Sequence, residues 1–352
     1  MAADAYAPWR PLVSIAMKNW GPQRIFLAVA ASAATFLFVW FQWRLLLLTF
    51  AGLLLAILLR SAIAWIERHT PLRPTLAYAA TVGALAGLAT LIIVVLGPRI
   101  INQLSQVFVA IPAAMKEAQS YLDQQPWGQT VLRVAHQALS GSATESHLTL
   151  AAKALVNGAV DSIVILVIGL FGALNPRSYR EGLLLLLPAQ YRQRAREIGS
   201  EVAETLRLWL LGQLVPMTAI GIASMISLWA LGVRLAFAVG LLTGLLIFVP
   251  YAGSIFSGLL AALLGFDRSP VTGLYILMLY VIFHVIEGYF LTPLVQRRAV
   301  RLPPVLTVLS QFFLYSFAGV LGVAVAAPLA ATGITLIRSF HLVSDGNQRR
   351  VA

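Results

Sequence analysis

Apolar residues along this chain fall in long blocks, not in the short alternating or helical stripes of a water-facing domain. Ile25 to Trp43, Leu45 to Ile66 and Thr75 to Gly97 are such blocks. Each is close to the roughly 20 residues a helix needs to cross hydrocarbon at about 1.5 Å per residue. Trp40, Trp43 and Trp65 lie near their ends, where indole rings favour the interface. From Pro98 to Gly158 the pattern changes. Ile100, Leu104, Val107, Phe108, Ile111 and Met115 recur at helical spacing among polar residues, which predicts an amphipathic surface helix too polar to span. A fourth span is expected from Val160 to Leu174, with Asp161 as its cap and Asn175-Pro176 as its stop. Arg177 to Leu206 sets Arg177, Arg180, Arg192, Arg194 and Arg196 beside the run Leu183 to Leu187. That reads as a helix lying on an anionic leaflet; a solvated loop would leave the leucines in water.

The C-terminal part holds two stretches too long for one crossing. After a fifth span, Leu206 to Leu231, the block Leu235 to Phe266 is broken by Val249-Pro250-Tyr251-Ala252-Gly253. After another span, Gly273 to Pro293, the block Pro304 to Phe340 carries small residues near its middle, Ser316 to Gly322. Each reads either as one overlong helix or as a re-entrant hairpin. The hairpin reading returns Arg297, Arg298 and Arg301 to the side of the N-terminus, which suits the positive-inside rule better. It also makes span plus hairpin occur twice with opposite starting sides, the inverted repeat of many transporters.

The expected fold is therefore an all-α polytopic membrane protein of eight hydrophobic segments, about five full transmembrane helices plus two re-entrant hairpins. Its divisions are a cytoplasmic segment 1–24, three spans in 25–97, an extracytoplasmic amphipathic segment 98–158, a span 159–174, a basic interfacial segment 175–205, a transport core 206–340 and a polar tail 341–352. Composition agrees: the 352 residues are 59% hydrophobic and 11% charged, against about 25% charged in a soluble domain. The net charge of +12 could mark a nucleic-acid surface. The basic residues are instead scattered between apolar blocks, so they are read as topology signals. With no Cys, thiolate catalysis and Cys-bound metal are excluded. No Walker, HExxH or GxSxG pattern is present, so the chain is not read as an enzyme. The first 24 residues lack a signal-peptide core.

A resemblance enters through Asn175-Pro176, Leu183 to Pro188, Leu211-Gly212-Gln213, Leu231-Gly232-Val233, Phe248-Val249-Pro250-Tyr251-Ala252-Gly253, Glu287-Gly288 with Pro293, and Ala318-Gly319-Val320-Leu321-Gly322 with Ala326-Ala327-Pro328-Leu329. In order, over roughly residues 25 to 340, these resemble the autoinducer-2 exporter family of permeases. The resemblance implies a multi-span transporter that exports a small signalling metabolite, or exchanges sodium or lithium for protons. Tyr251-Ala252-Gly253 and His284 depart from the usual family pattern.

Read from the residues themselves, Glu287 is the acidic group deepest in the late spans. A charged carboxylate in hydrocarbon is costly, so it must be protonated, paired or facing water, and it is a candidate coupling site; the alternative is a hydrogen-bonded structural Glu. His284 precedes it by one turn and could relay a proton, or be a core His. Gln213 could bind polar cargo or join helices. Pro250, Tyr251, Gly253 and Ser254 at the first break, and Ser310 and Gln311 in the second block, are candidates for substrate or ion binding, because broken helices free backbone groups. A plain proline kink is the alternative at the first break. The expected partners are the bilayer, a small-molecule or ion cargo and further copies of the chain, with no nucleic acid, metal or cofactor. The expected location is a bacterial inner membrane with the N-terminus cytoplasmic.

Overall fold

The computed structural model describes residues 22–70, 74–91, 147–233, 235–266, 268–291 and 302–348, with a few isolated positions between 116 and 124. Two compact units divide the chain, Met1–Leu48 and Thr49–Ala352. Among the described residues every regular element is helical: α1 Pro22–His69, α2 Pro74–Leu91, α3 His147–Leu174, α4 Pro176–Leu185, α5 Ala189–Ala230, α6 Ala236–Leu246, α7 Ala252–Phe266, α8 Pro270–Ile286 continued by a π-turn at Glu287–Leu291, and α9 Pro304–Gln348. Four of these contain segments long and apolar enough to cross a membrane: Phe41–His69, Ala189–Ala230, Pro270–Leu291 and Pro304–Ser339. The bent pair α3–α4 makes a fifth if taken as one span.

Within the second unit, the later part of α1 runs parallel to α3. Gly52 sits against Ile168, Gly169 against Leu55 and Gly172 against Ala56, so close that a Cβ on either of the first two would lie 2.6 Å from its neighbour. Small residues at such contacts let helices pack where no hydrophobic force drives them together in lipid. Ala56, Leu59, Ile63 and Ala173 form the buried centre of this pair. Asn175, at φ −129° and ψ 58°, then leaves the helical region, because the ring of a following proline crowds it there. Pro176 opens α4, which turns 93° away from α3. On α4 and the turn after it Leu184 is buried, whereas Leu183, Leu185, Leu186 and Leu187 are exposed.

Two hairpins follow. Gly221 and Gly244 pack backbone to backbone between α5 and α6, and Gly240 lies on Met225, so α6 runs back along α5. Leu235, Ala236 and Val239 at the start of α6 share a core with Ala261, Ala262 and Leu264 at the end of α7. The two short helices are thus antiparallel arms joined at Ile247–Tyr251. The open end of this hairpin is fixed by Arg268, whose guanidinium donates to the Leu231 carbonyl at 2.8 Å.

The second hairpin lies inside α9. Gly319 has φ 54° and ψ −137°, a conformation open to glycine alone. A Cβ on Gly322 would lie 2.2 Å from the Leu314 carbonyl oxygen. In an unbroken helix those residues would be about 12 Å apart, so the chain folds back at Gly319. Its returning arm descends along α5: Thr335 meets Thr205, while Ser339 donates to Glu201 and accepts at its carbonyl from Arg194. Arg194 and Leu231 lie at opposite ends of α5, so the two hairpins open in opposite directions, the inverted arrangement the sequence suggests.

Several boundaries differ from the sequence reading. The spans 25–43 and 45–66 are two helical stretches that meet at a kink at Gln42, where φ is −109° and ψ 15°, so the break lies slightly earlier than the sequence suggests. The span expected at 159–174 is the later part of a helix that starts at His147, so Asp161 lies inside α3 and is not its N-cap residue. The segment 175–205 is not one interfacial element, since its second half is the first part of α5, which runs through residue 206 without a break. The break in the last block falls at Gly319, within the Ser316–Gly322 stretch the sequence marks, so Ser310 and Gln311 lie on the outgoing arm and not at the turn. Most of the amphipathic segment 98–158, the end of the span at 75–97 and the arginines at 297, 298 and 301 lie outside the described residues.

Candidate functional site

α8 carries Glu287 to the level of the first hairpin's turn. There the helix widens into a π-turn, Glu287–Leu291, a distortion that inserts backbone without ending the helix and recurs at functional sites. Glu287 is 8% exposed. The Ser254 hydroxyl, on the first turn of α7, donates to its Oε2 at 2.6 Å, the length of a charge-assisted O–H···O⁻ bond. His284 Nδ1 is 3.7 Å from the same oxygen. That is beyond a hydrogen bond but within range for a charge interaction, and the His ring is half exposed.

The turn itself is built from freed backbone. Tyr251 adopts φ 64°, a left-handed conformation that costs a non-glycine residue roughly 1–2 kcal/mol. Two glutamine amides cap the carbonyls this turn leaves without helical partners. Gln213 Nε2 donates to Ile247 O at 2.6 Å, and Gln311 Nε2 donates to Pro250 O at 2.8 Å. The first amide comes from α5 and the second from the outgoing arm of the other hairpin, so both inverted units hold the same turn. The Ile247 carbonyl would otherwise cost several kcal/mol in an apolar surround, whereas Pro250 O also accepts from the Ala252 N–H at 2.7 Å.

Glu287, Gln213, Pro250, Tyr251 and His284 line a cavity of about 90 Å³, together with Trp209, Pro216, Gly288, Leu302, Thr307 and Ala327. It has room for several waters or a small ion. A larger apolar groove lies elsewhere, but no carboxylate lines it, so the small polar cavity is the candidate centre. Among the described residues no cluster of three His, Cys, Asp or Glu side chains could hold a metal ion.

Of the residues singled out from sequence, Ser254 and Gln311 also converge here through their hydrogen bonds. Ser310 does not: its hydroxyl donates to the Thr307 carbonyl of its own helix at 2.8 Å. Gly253 is buried, and a Cβ there would lie 1.7 Å from the Leu246 carbonyl oxygen, so its bareness serves the close approach of α7 to the end of α6. Sequence reasoning missed Trp209, Pro216 and Thr307. Trp209 is 4% exposed and packs edge-on against Phe248 with ring centroids 5.8 Å apart. A proline inside an apolar span was the one signal that could have drawn attention to Pro216.

Oppositely opening hairpins meet here around a buried carboxylate inside an apolar helical chain, the broken-helix arrangement that recurs in membrane transporters. The chain belongs to the AI-2E transporter family: the profile described as "AI-2E family transporter" matches residues 29–341. The chain is 29% identical over 157 residues to "Putative transport protein YueF" of Bacillus subtilis (strain 168), covering 45% of this chain and 42% of that protein. It is 22% identical over 291 residues to the Synechocystis sp. (strain ATCC 27184 / PCC 6803 / Kazusa) protein described in the same words, sll0060, covering 79% of this chain and 83% of that one. The match thus spans less than half the length of the Bacillus relative.

Proposed function

We propose that this protein is a secondary transporter that moves a small polar solute, of the class of signalling metabolites such as autoinducer-2, out of the cell, with Glu287 as the group that couples transport to protons or sodium. The observation that carries the reading is the Ser254–Glu287 hydrogen bond at the meeting point of the two hairpins. Ionised, Glu287 accepts from Ser254 and attracts a cation or a donor-rich solute. Protonated, it becomes a donor, and the charge that held the cargo is gone. Rocking of the hairpins about this fixed point would expose it to each side in turn, the usual logic of inverted repeats.

A second reading, sodium or lithium exchange for protons, is favoured by the small cavity, about 90 Å³, which suits an ion better than a metabolite. On either reading the protein sits in the cytoplasmic membrane of a bacterium, the N-terminus and the Arg177–Arg196 segment face the cytoplasm, and further copies of the chain assemble with it. Purified protein in proteoliposomes tests both readings. Autoinducer-2 movement driven by a pH or sodium gradient supports export; proton movement driven by sodium alone supports antiport. Flux of neither kind, or flux indifferent to both gradients, would make the protein a scaffold or a passive pore.

A further inference from the structure

A second cavity, of about 840 Å³, lies between the later part of α1 and α2, α3 and α5. Its volume falls in the range of sites that enclose whole organic ligands. The walls are apolar and mostly leucine: Leu55, Leu58, Leu166, Leu170, Leu211 and Leu214. The polar lining is of one sign. Arg68, His69 and Arg207 border the cavity, and no Asp or Glu does.

The charges gather at one end. α1 runs parallel to α3, as the Gly52–Ile168 and Gly172–Ala56 contacts require, so Arg68 and His69 lie toward the end where α3 gives way to α4. α5 begins just after α4, and Arg207 is the first of its residues to line the cavity, ahead of Leu211 and Leu214. The basic end is therefore the α4 end, and the leucines lead away from it. The wall from Leu55 to His69 is about 21 Å long at helical rise, more than the roughly 15 Å of one leaflet's hydrocarbon. Trp65, 63% exposed, stands beside the basic end, its ring 4.7 Å from that of His69, as an indole does at an interface.

We propose that this groove binds one anionic phospholipid from the leaflet on the α4 side, its acyl chain along the leucines and its phosphate at Arg68 and Arg207. Charge complementarity selects this occupant. Arg68 has no hydrogen bond or ion pair among the described residues. Arg207 is balanced only by Glu204 at 3.1 Å, an exposed pair of small strength. A groove for a neutral chain needs neither arginine, and a groove for an acidic protein segment would not be walled by leucine along its length.

Native mass spectrometry of the full-length protein in detergent, with dioleoyl-phosphatidylglycerol or dioleoyl-phosphatidylcholine added, tests the proposal. Retention of the anionic lipid should exceed that of the zwitterionic one by about tenfold, as expected for two basic groups at a headgroup. Arg68→Gln with Arg207→Gln should erase the preference, whereas Arg338→Gln, at an exposed position on α9, should leave it intact. Leu211→Trp keeps both charges but fills the apolar end, and should lower occupancy by either lipid. Equal retention of the two lipids by the unaltered protein overturns the proposal. So does a preference that survives the double substitution, that Arg338→Gln removes equally, or that Leu211→Trp leaves untouched. If the double variant does not accumulate, the lipid comparison on the unaltered protein and on Leu211→Trp still decides.

Discussion

Ser254 shows how one hydroxyl can govern a site. It gives the buried Glu287 carboxylate a donor at 2.6 Å, and a hydrogen bond to a charged group is worth about 1.5–3 kcal/mol when its loss leaves the partner buried. Ser254→Ala should therefore cut transport by about ten- to a hundredfold, since each 1.36 kcal/mol is a factor of ten, with little loss of protein from the membrane. Flux normalised to abundance in the same vesicles checks this; unchanged normalised flux would reduce Ser254 to a packing residue. Gly253 is the opposite case. From sequence its bare backbone reads as a place for cargo, with Gly253→Val expected to harm transport more than expression. The Leu246 carbonyl occupying the Cβ position makes it a packing glycine, and that expectation becomes one of lost folded protein, because the atom in the way is backbone and cannot swing aside.

At the scale of elements, both hairpins turn at a left-handed residue, Tyr251 in the first and Gly319 in the second. They differ in what holds the turn. The first is capped by two glutamines, while the second relies on glycine geometry, with φ 54° and ψ −137°. Gly319→Val should cost about 1–3 kcal/mol from backbone strain alone and lower the melting temperature of the detergent-solubilised protein. An unchanged melt would mean that the chain does not fold back there. At the other end of the second hairpin, the Glu201–Ser339 and Thr205–Thr335 bonds tie its returning arm to α5. Nearby, Gln193 and Arg194 donate to the exposed Glu197 carboxylate.

For the whole molecule, the membrane class and the inverted hairpins were legible because block length and the positions of arginines and broken helices are written linearly in the chain. Helix boundaries were not, because nothing local stops α5 at residue 206, and α3 runs through Asn157-Gly158, which propensity alone would mark as a boundary. Nor could the sequence reveal that Gln311 reaches across to Pro250 while its neighbour Ser310 turns to its own helix, since that depends on a rotation of α9 fixed only by packing. The opposite openings of the hairpins carry a topological consequence. In this naturally Cys-free chain, Arg196→Cys and Arg268→Cys should react with an impermeant thiol reagent from opposite faces of the membrane. Labelling of both from one face would remove the inverted arrangement.

The central claim is that the carboxyl group of Glu287 couples transport. Glu287→Gln keeps the shape and a hydrogen-bonding capacity but cannot ionise. The decisive measurement is movement of autoinducer-2 and of sodium into proteoliposomes under an imposed pH gradient, unaltered protein against Glu287→Gln, with a protonophore control. The unaltered protein should accumulate one of these cargoes in response to the gradient, and the variant should lose that response while remaining folded in the bilayer. A variant that follows the gradient as the unaltered protein does would contradict the account and leave Glu287 a structural residue.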